Sequence, residues 1–421
     1  MTESRHFDFS DSHPAWLQRF NQLGRSLLAS GAMGIPLDAD SMLAEATRNT
    51  GLTDFGGDAF LEPLSVLCGS LEQEAQLNLM GRLLARSDVV NLLENRLQVT
   101  ETYRLHPEIG DERVVGPMFI IGLPRSGTSI LHELLACDPA HRVPLSWEAR
   151  FPCPPPEAAS YETDPRIAMA EEVFTFWNEL VPEYRTMHEM GARIPCECVW
   201  LTAPSFVSEE FLGRQKIPSF GAWYAQADLR PAYAYHHKML KLLQWKNSRE
   251  RWMLKAPSHM AGLAVLLEHY PDARIIQTHR DPLKSMGSTA SVLAALHSMR
   301  SDEIDPAVIQ AGFGGEGMAN RLEQAMRVQD ADGIDGRQFF DVRYVDLLSD
   351  PFEVIGRLYS HFELDFTSET ETRMREYLAA KPQARHGAHT YSFSDLGLDL
   401  ATERARFTAY QERFDVPSEI P

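Results

Sequence analysis

The stretch from Met118 to Ala136 constrains this chain more than any other. Met118-Phe119-Ile120-Ile121-Gly122 is a short apolar run preceded by Pro117. Such a run fits a strand buried on both faces of a parallel sheet. Ser129 to Ala136 then reads as a helix, which Asp138-Pro139 ends. The link between them is Gly122-Leu123-Pro124-Arg125-Ser126-Gly127-Thr128-Ser129. Its two glycines, Gly122 and Gly127, let the backbone fold over an anion with N–H groups pointing inward. The following helix adds the positive end of its dipole. Arg125 offers a fork of donors suited to phosphate oxygens, and Thr128 and Ser129 add hydroxyls. A strand, a phosphate loop and a helix in that order call for an α/β domain.

The spacing is that of a nucleoside-triphosphate loop with one change. Such loops carry Lys after the second glycine, where this chain has Thr128, and the basic residue has moved inside the loop to Arg125. A kinase or NTPase using ATP and magnesium is therefore the weaker alternative, as is a non-catalytic nucleotide-binding protein. No metal is required by the pattern.

Further strand candidates follow at Trp252–Lys255, Arg274–Thr278 and Phe339–Tyr344, with helical patterns at Ser258–His269 and Leu283–Met299. Strands alternating with helices predict a central parallel sheet between helical layers. Residues 1–115 read as a separate helical region, with helices expected from Met42 to Ala46, behind capping residues, and from Glu74 to Leu97. Residues 116–421 would form the α/β domain, with an insertion at about 150–250 and a helical stretch from 350 onward. The insertion opens on a stiff, proline-rich piece, Phe151-Pro152-Cys153-Pro154-Pro155-Pro156. Its later part is mainly helical and rich in aromatics such as Phe174, Trp177, Trp200 and Tyr233, which suit a core or an apolar substrate pocket.

A second anion grip is visible in Arg274-Ile275-Ile276-Gln277-Thr278-His279-Arg280-Asp281-Pro282. Arg280 lies at the C-terminal end of a strand, where α/β sheets place ligands. Ser288 comes eight residues later on the next helix. Together the two segments resemble the cytosolic and bacterial sulfotransferase family, in particular its bacterial branch with a helical N-terminal region. The segments Trp252–His259 and His389–Phe393 are also similar to that branch. The resemblance implies a P-loop-like three-layer fold. It also implies a donor, 3′-phosphoadenylyl sulfate, released as adenosine 3′,5′-bisphosphate. By that resemblance Arg125, Ser126, Gly127, Thr128 and Ser129 hold the 5′-phosphosulfate, Arg280 and Ser288 hold the 3′-phosphate, and Tyr344 lies near the adenine. The chain departs from the family in two places. Ile130 stands where many members stack a Trp on the adenine, and no late glycine-rich element is evident.

Sulfuryl transfer needs a base for the acceptor's proton and a cation for the leaving oxygen. Lys255, at a strand end, is the expected cation, with Arg125 near it. Two residues are candidate bases. Glu148 lies 23 residues after Arg125, at a remove similar to the glutamate of several branches. His259 follows Lys255, and an imidazole titrates near neutral pH.

Lys plus Arg is 40 and Asp plus Glu is 59, a net charge of −19. That balance argues against a nucleic-acid partner and requires a local positive pocket for any anion. The expected partner is a small-molecule acceptor, with a homo-oligomer left open. The five cysteines read as free thiols, and neither a signal peptide nor a run long enough to span a membrane is seen, so a cytoplasmic protein is expected.

Overall fold

The structure, a computed structural model, describes residues 13–31, 34–381 and 393–420. Five strands form one parallel sheet: β1 (Met118–Gly122), β2 (His141–Arg142), β3 (Arg251–Lys255), β4 (Arg274–His279) and β5 (Phe339–Arg343). Their order is β2-β3-β1-β4-β5. Gly122 is in register with Thr278, and Ile120 with Lys255. The chain moves from β1 to one side of the sheet and then crosses back to β4 on the other. The crevice at the C-terminal end of β1 is thus a topological switch point, where such sheets bind ligands.

Side chains alternate across the sheet, as strand geometry requires. Phe119, Ile121, Leu254 and Ile275 point to one face and pack with Leu240, Leu243, Leu283 and Ala294. Met118, Ile120, Met253 and Ile276 point to the other, against Leu131, Leu134, Leu135, Ile355 and Leu358. Both faces are covered by helices, which is why all five residues of β1 are buried. This is the predicted α/β three-layer architecture.

The helical N-terminal region contains Ala15–Ala29, Ala39–Thr50, Leu61–Gln73 and Leu79–Leu105. The helix expected at Met42–Ala46 runs from Ala39 because the Asp38 carboxylate accepts the Ser41 N–H at 2.8 Å. The helix expected over Glu74–Leu97 begins only at Leu79, after the preceding helix has ended at Gln73. Gln76 takes φ +49° and Asn78 caps the second helix by accepting from the Gly81 N–H, so the chain turns sharply between them. Similarly, Pro257–Met260 is a tight turn and the helix begins only at Leu263. β2 is two residues long and gave no pattern to read. In the insertion, helices Pro165–Leu180, Pro218–Tyr224 and Arg230–Gln244 are joined by long irregular stretches rather than being continuously helical. The segment His389–Ser392 lies outside the described residues.

Residues far apart in sequence are tied by charge. The buried Asp88 carboxylate receives Arg150 at 3.1 Å, Arg214 at 2.8 Å and Arg300 at 2.7 Å. Their pull, against the cost of burial, holds that carboxyl well below its ordinary range. All five cysteines are free. Among the described residues no helix is long and apolar enough to cross a membrane, and no group of three or more His, Cys, Asp or Glu could hold a metal.

Candidate functional site

The phosphate loop leaves β1 through Gly122 at φ +141°. A Cβ there would sit 2.3 Å from the Thr278 hydroxyl of β4, so only glycine fits. Gly127, at φ +92°, starts the helix Thr128–Leu135. A Cβ on Gly127 would meet the Tyr344 ring at 2.9 Å. No side chain caps that helix, so its first N–H groups are left facing the loop, the arrangement that receives an anion.

Arg125 sits at φ +66°, in the left-handed region that a non-glycine residue rarely adopts. Its surroundings hold it there. Its guanidinium donates to the Met187 carbonyl at 2.8 Å and to the Ser288 hydroxyl at 3.1 Å. Its carbonyl accepts from Arg280 at 2.8 Å. The two predicted grips are therefore one structure, although they lie more than 150 residues apart. Arg280 also stacks 4.0 Å over the Tyr344 ring and pairs with Glu419. Tyr344 thus lies between Gly127 and Arg280. Ser126 departs from the expected pattern. Its hydroxyl turns inward, 2.6 Å from both the Leu123 carbonyl and the Thr278 hydroxyl, and braces the loop instead of facing an anion.

Lys255 ends β3 and is nearly fully buried. Its ammonium donates to the Ser129 hydroxyl at 3.3 Å and to Glu197 at 2.5 Å. Glu197 was missed in the sequence. Burial pushes its carboxyl up, but the Lys255 ammonium, helped by His188, outweighs this and holds it below its ordinary value. The only sequence signal was a lone carboxylate in an apolar run, Pro195-Cys196-Glu197-Cys198-Val199-Trp200. Such a charge is retained in a core only with a partner. His188 is pushed down to about 4 by burial and by Lys255.

The two candidate bases lie elsewhere. Glu148 has no exposed surface and is bound on every side. Arg142 grips both its oxygens, while the Leu145 N–H and the Tyr161 hydroxyl each donate to one of them at 2.9 Å. Glu148 also closes the N-terminus of its own short helix, Ser146–Arg150. Its carboxylate forms a buried ion pair with Arg142. His259 is buried too, with its Nδ1 2.8 Å from the Tyr233 hydroxyl and its ring edge-on to Phe119. Burial pushes it down to about 3, so it is neutral at ordinary pH, and its Nε2 has no hydrogen-bond partner among the described residues.

Trp200 belongs to an aromatic cluster. Phe174, Trp177 and Trp200 have ring centroids 5.8–6.1 Å apart. Trp200 lies one helical turn beyond Glu197, and Arg214 stacks on both tryptophans. A cavity of about 710 Å³ opens between residues 162–171 and 185–194, with Glu162, Glu171, Arg185, Glu189 and Arg193 in its lining.

The profile described as "Sulfotransferase family" matches residues 117–368. The chain is 31% identical to sulfotransferase STF1 from Mycobacterium tuberculosis, with a TM-score of 0.78 over 88% of this chain and 98% of that one. It is 28% identical to sulfotransferase STF9 from Mycobacterium avium, with a TM-score of 0.83 over 91% and 98%. It is also 27% identical to the omega-hydroxy-beta-dihydromenaquinone-9 sulfotransferase Stf3 of Mycobacterium bovis, over 62% of this chain and 66% of that protein. With its phosphate loop, its second arginine grip and these relatives, the chain belongs to the sulfotransferase family.

Proposed function

We propose that this protein transfers a sulfuryl group from 3′-phosphoadenylyl sulfate to a hydroxyl or amine of a small apolar acceptor, releasing adenosine 3′,5′-bisphosphate. One observation carries the reading: the Arg125 guanidinium donates to Ser288 and the Arg125 carbonyl accepts from Arg280, which brings the two expected phosphate grips to one crevice. A nucleotide with phosphates at both 5′ and 3′ positions needs that pair. The loop's tight turn depends on its glycines, since a Cβ on Gly122 would strike Thr278 and one on Gly127 would strike Tyr344.

In this reading Arg125, Thr128, Ser129 and the loop N–H groups hold the 5′-phosphosulfate. Arg280 and Ser288 hold the 3′-phosphate, and Tyr344 flanks the adenosine. The donor supplies an activated sulfuryl group. Lys255 donates to the oxygen that bridges sulfur and phosphorus, and Glu197 takes the acceptor's proton as the new sulfur–oxygen bond forms and the old one breaks. One ammonium serves both groups. As Lys255 turns to the leaving oxygen, its hold on Glu197 loosens and the carboxylate becomes more basic when the proton arrives. Glu197 replaces Glu148 and His259 as the assigned base.

Trp200, partly exposed one turn beyond Glu197, supports an apolar acceptor. One relative is named for an omega-hydroxy acceptor, which fits transfer to a hydroxyl. We assign the acceptor side to the insertion at about 150–250 within the 116–421 domain, with residues 1–115 as its helical support.

Arg125→Ala and Arg280→Ala are each expected to weaken binding of adenosine 3′,5′-bisphosphate by about 1.5–3 kcal/mol, the scale of a charged hydrogen bond. Calorimetry measures this, and unchanged affinity in both variants would sink the site assignment. The pH dependence follows from Glu197. A carboxylate held low is ionised above its folded pKa and loses its charge only as pH falls through it. The acid limb of the rate is therefore expected below the ordinary glutamate value of 4.5, with a flat profile from about pH 6 to 8. A limb near 6.5 would instead point to a histidine of ordinary pKa.

A further inference from the structure

Glu419 makes the same contact to Arg280 that a bound phosphate would make. Its two carboxylate oxygens accept from Arg280 Nε at 2.7 Å and Nη2 at 2.8 Å, a bidentate pair. The arginine side chain is only 13% exposed and the glutamate 24%, so the pair is largely shielded from water. The segment that carries Glu419 is docked firmly. The fully buried Asp281 carboxylate accepts the Glu419 N–H at 2.7 Å and the Ile420 N–H at 3.3 Å. Arg404 bridges Asp281 and the Ile420 carbonyl. Val416 is buried, and its N–H donates to the Gln411 carbonyl at 2.9 Å.

Backbone bonds thus position this segment, and the Glu419 side chain is an addition that none of those bonds needs. A planar guanidinium presents one face with Nε and Nη2 to a single anion, carboxylate or phosphate. We propose that Glu419 is an internal stand-in for the nucleotide's 3′-phosphate that competes with it for Arg280 and so moderates affinity for the bisphosphate. This rests on the assignment of Arg280 to that phosphate. With the 3′-phosphate absent, Glu419 keeps Arg280 neutralised and stacked on Tyr344. A nucleotide that bears the phosphate displaces the carboxylate and takes the fork. A nucleotide that lacks it leaves the pair intact and gains nothing from Arg280. The side chain can swing away while Asp281 keeps its hold on the backbone, so exchange needs no unfolding of the segment.

The experiment is calorimetric titration of the wild-type chain, Glu419→Gln, Glu419→Ala and Arg280→Ala with adenosine 3′,5′-bisphosphate and with adenosine 5′-phosphate. Thermal unfolding checks that each variant is folded. Removing the competing charge is expected to tighten adenosine 3′,5′-bisphosphate about three- to tenfold, the range for a partly shielded ion pair, and to leave adenosine 5′-phosphate unchanged. Unchanged or weaker binding of the bisphosphate in both Glu419 variants, with Arg280→Ala still impaired, would overturn the proposal and leave the phosphate assignment standing. If Arg280→Ala binds both nucleotides like the wild type, the assignment and the proposal fall together.

Discussion

Glu197→Gln is expected to lower kcat by about 10²–10⁴, the usual contribution of a positioned general base, and to leave affinity for adenosine 3′,5′-bisphosphate nearly unchanged. The size follows from where the carboxylate sits. It lies 2.5 Å from Lys255, which in turn contacts Ser129 at the head of the loop helix. Gln keeps the shape and an acceptor for Lys255 but cannot take a proton at neutral pH. His259→Ala is expected to cost far less in kcat, because its Nδ1 faces Tyr233 and its ring lies against Phe119. Turnover assays on both variants separate the two. Full activity in Glu197→Gln together with a dead His259→Ala would reverse the assignment.

Glu148→Gln is expected to act on stability. Taking the charge from a buried pair leaves Arg142 unpaired in the interior, at a cost of about 3–5 kcal/mol. Arg142 is nearly as buried as Glu148, at 4% side-chain exposure, and also stacks over Trp252 and Tyr161. The loss should therefore reach the β2–β3 edge of the sheet, where Arg142 pairs in register with Trp252. Denaturant unfolding measures it. The folded fraction should still bind adenosine 3′,5′-bisphosphate, because the hydrogen bonds of Glu148 run to Arg142, Leu145 and Tyr161 and not to the loop. A variant of unaltered stability with no turnover would restore Glu148 as a reacting group.

The sheet and the phosphate grips were legible because backbone needs fix their residue types. Gly122 and Gly127 are demanded by close approach and positive φ, and an apolar run like that of β1 has no other home than a doubly covered strand. Arg280 could be placed by the strand-end rule alone. The base could not. Glu148 is buried in a short helix and Glu197 is partly exposed at the start of another, and what separates them is the partner each meets across the fold. Arg142 is close to Glu148 in sequence, but Lys255 reaches Glu197 only through the return of the insertion to β3, 58 residues away. Glu419 was hidden for the same reason, being 139 residues from Arg280. Helix breaks such as the one at Gln76 were missed because a single left-handed residue interrupts a pattern that stays apolar on both sides.

Thermal unfolding of the wild-type chain with each of two ligands tests the nucleotide assignment most directly. One sample holds adenosine 3′,5′-bisphosphate with a chelator, the other ATP with magnesium. At ligand concentrations near 100 times Kd, a specific ligand adds about 2.7 kcal/mol of stability. Two phosphate grips without a loop lysine predict stabilisation by adenosine 3′,5′-bisphosphate in the presence of the chelator and little from ATP with magnesium. Stabilisation by ATP with magnesium alone would contradict the sulfuryl-donor site and return the loop to the triphosphate class.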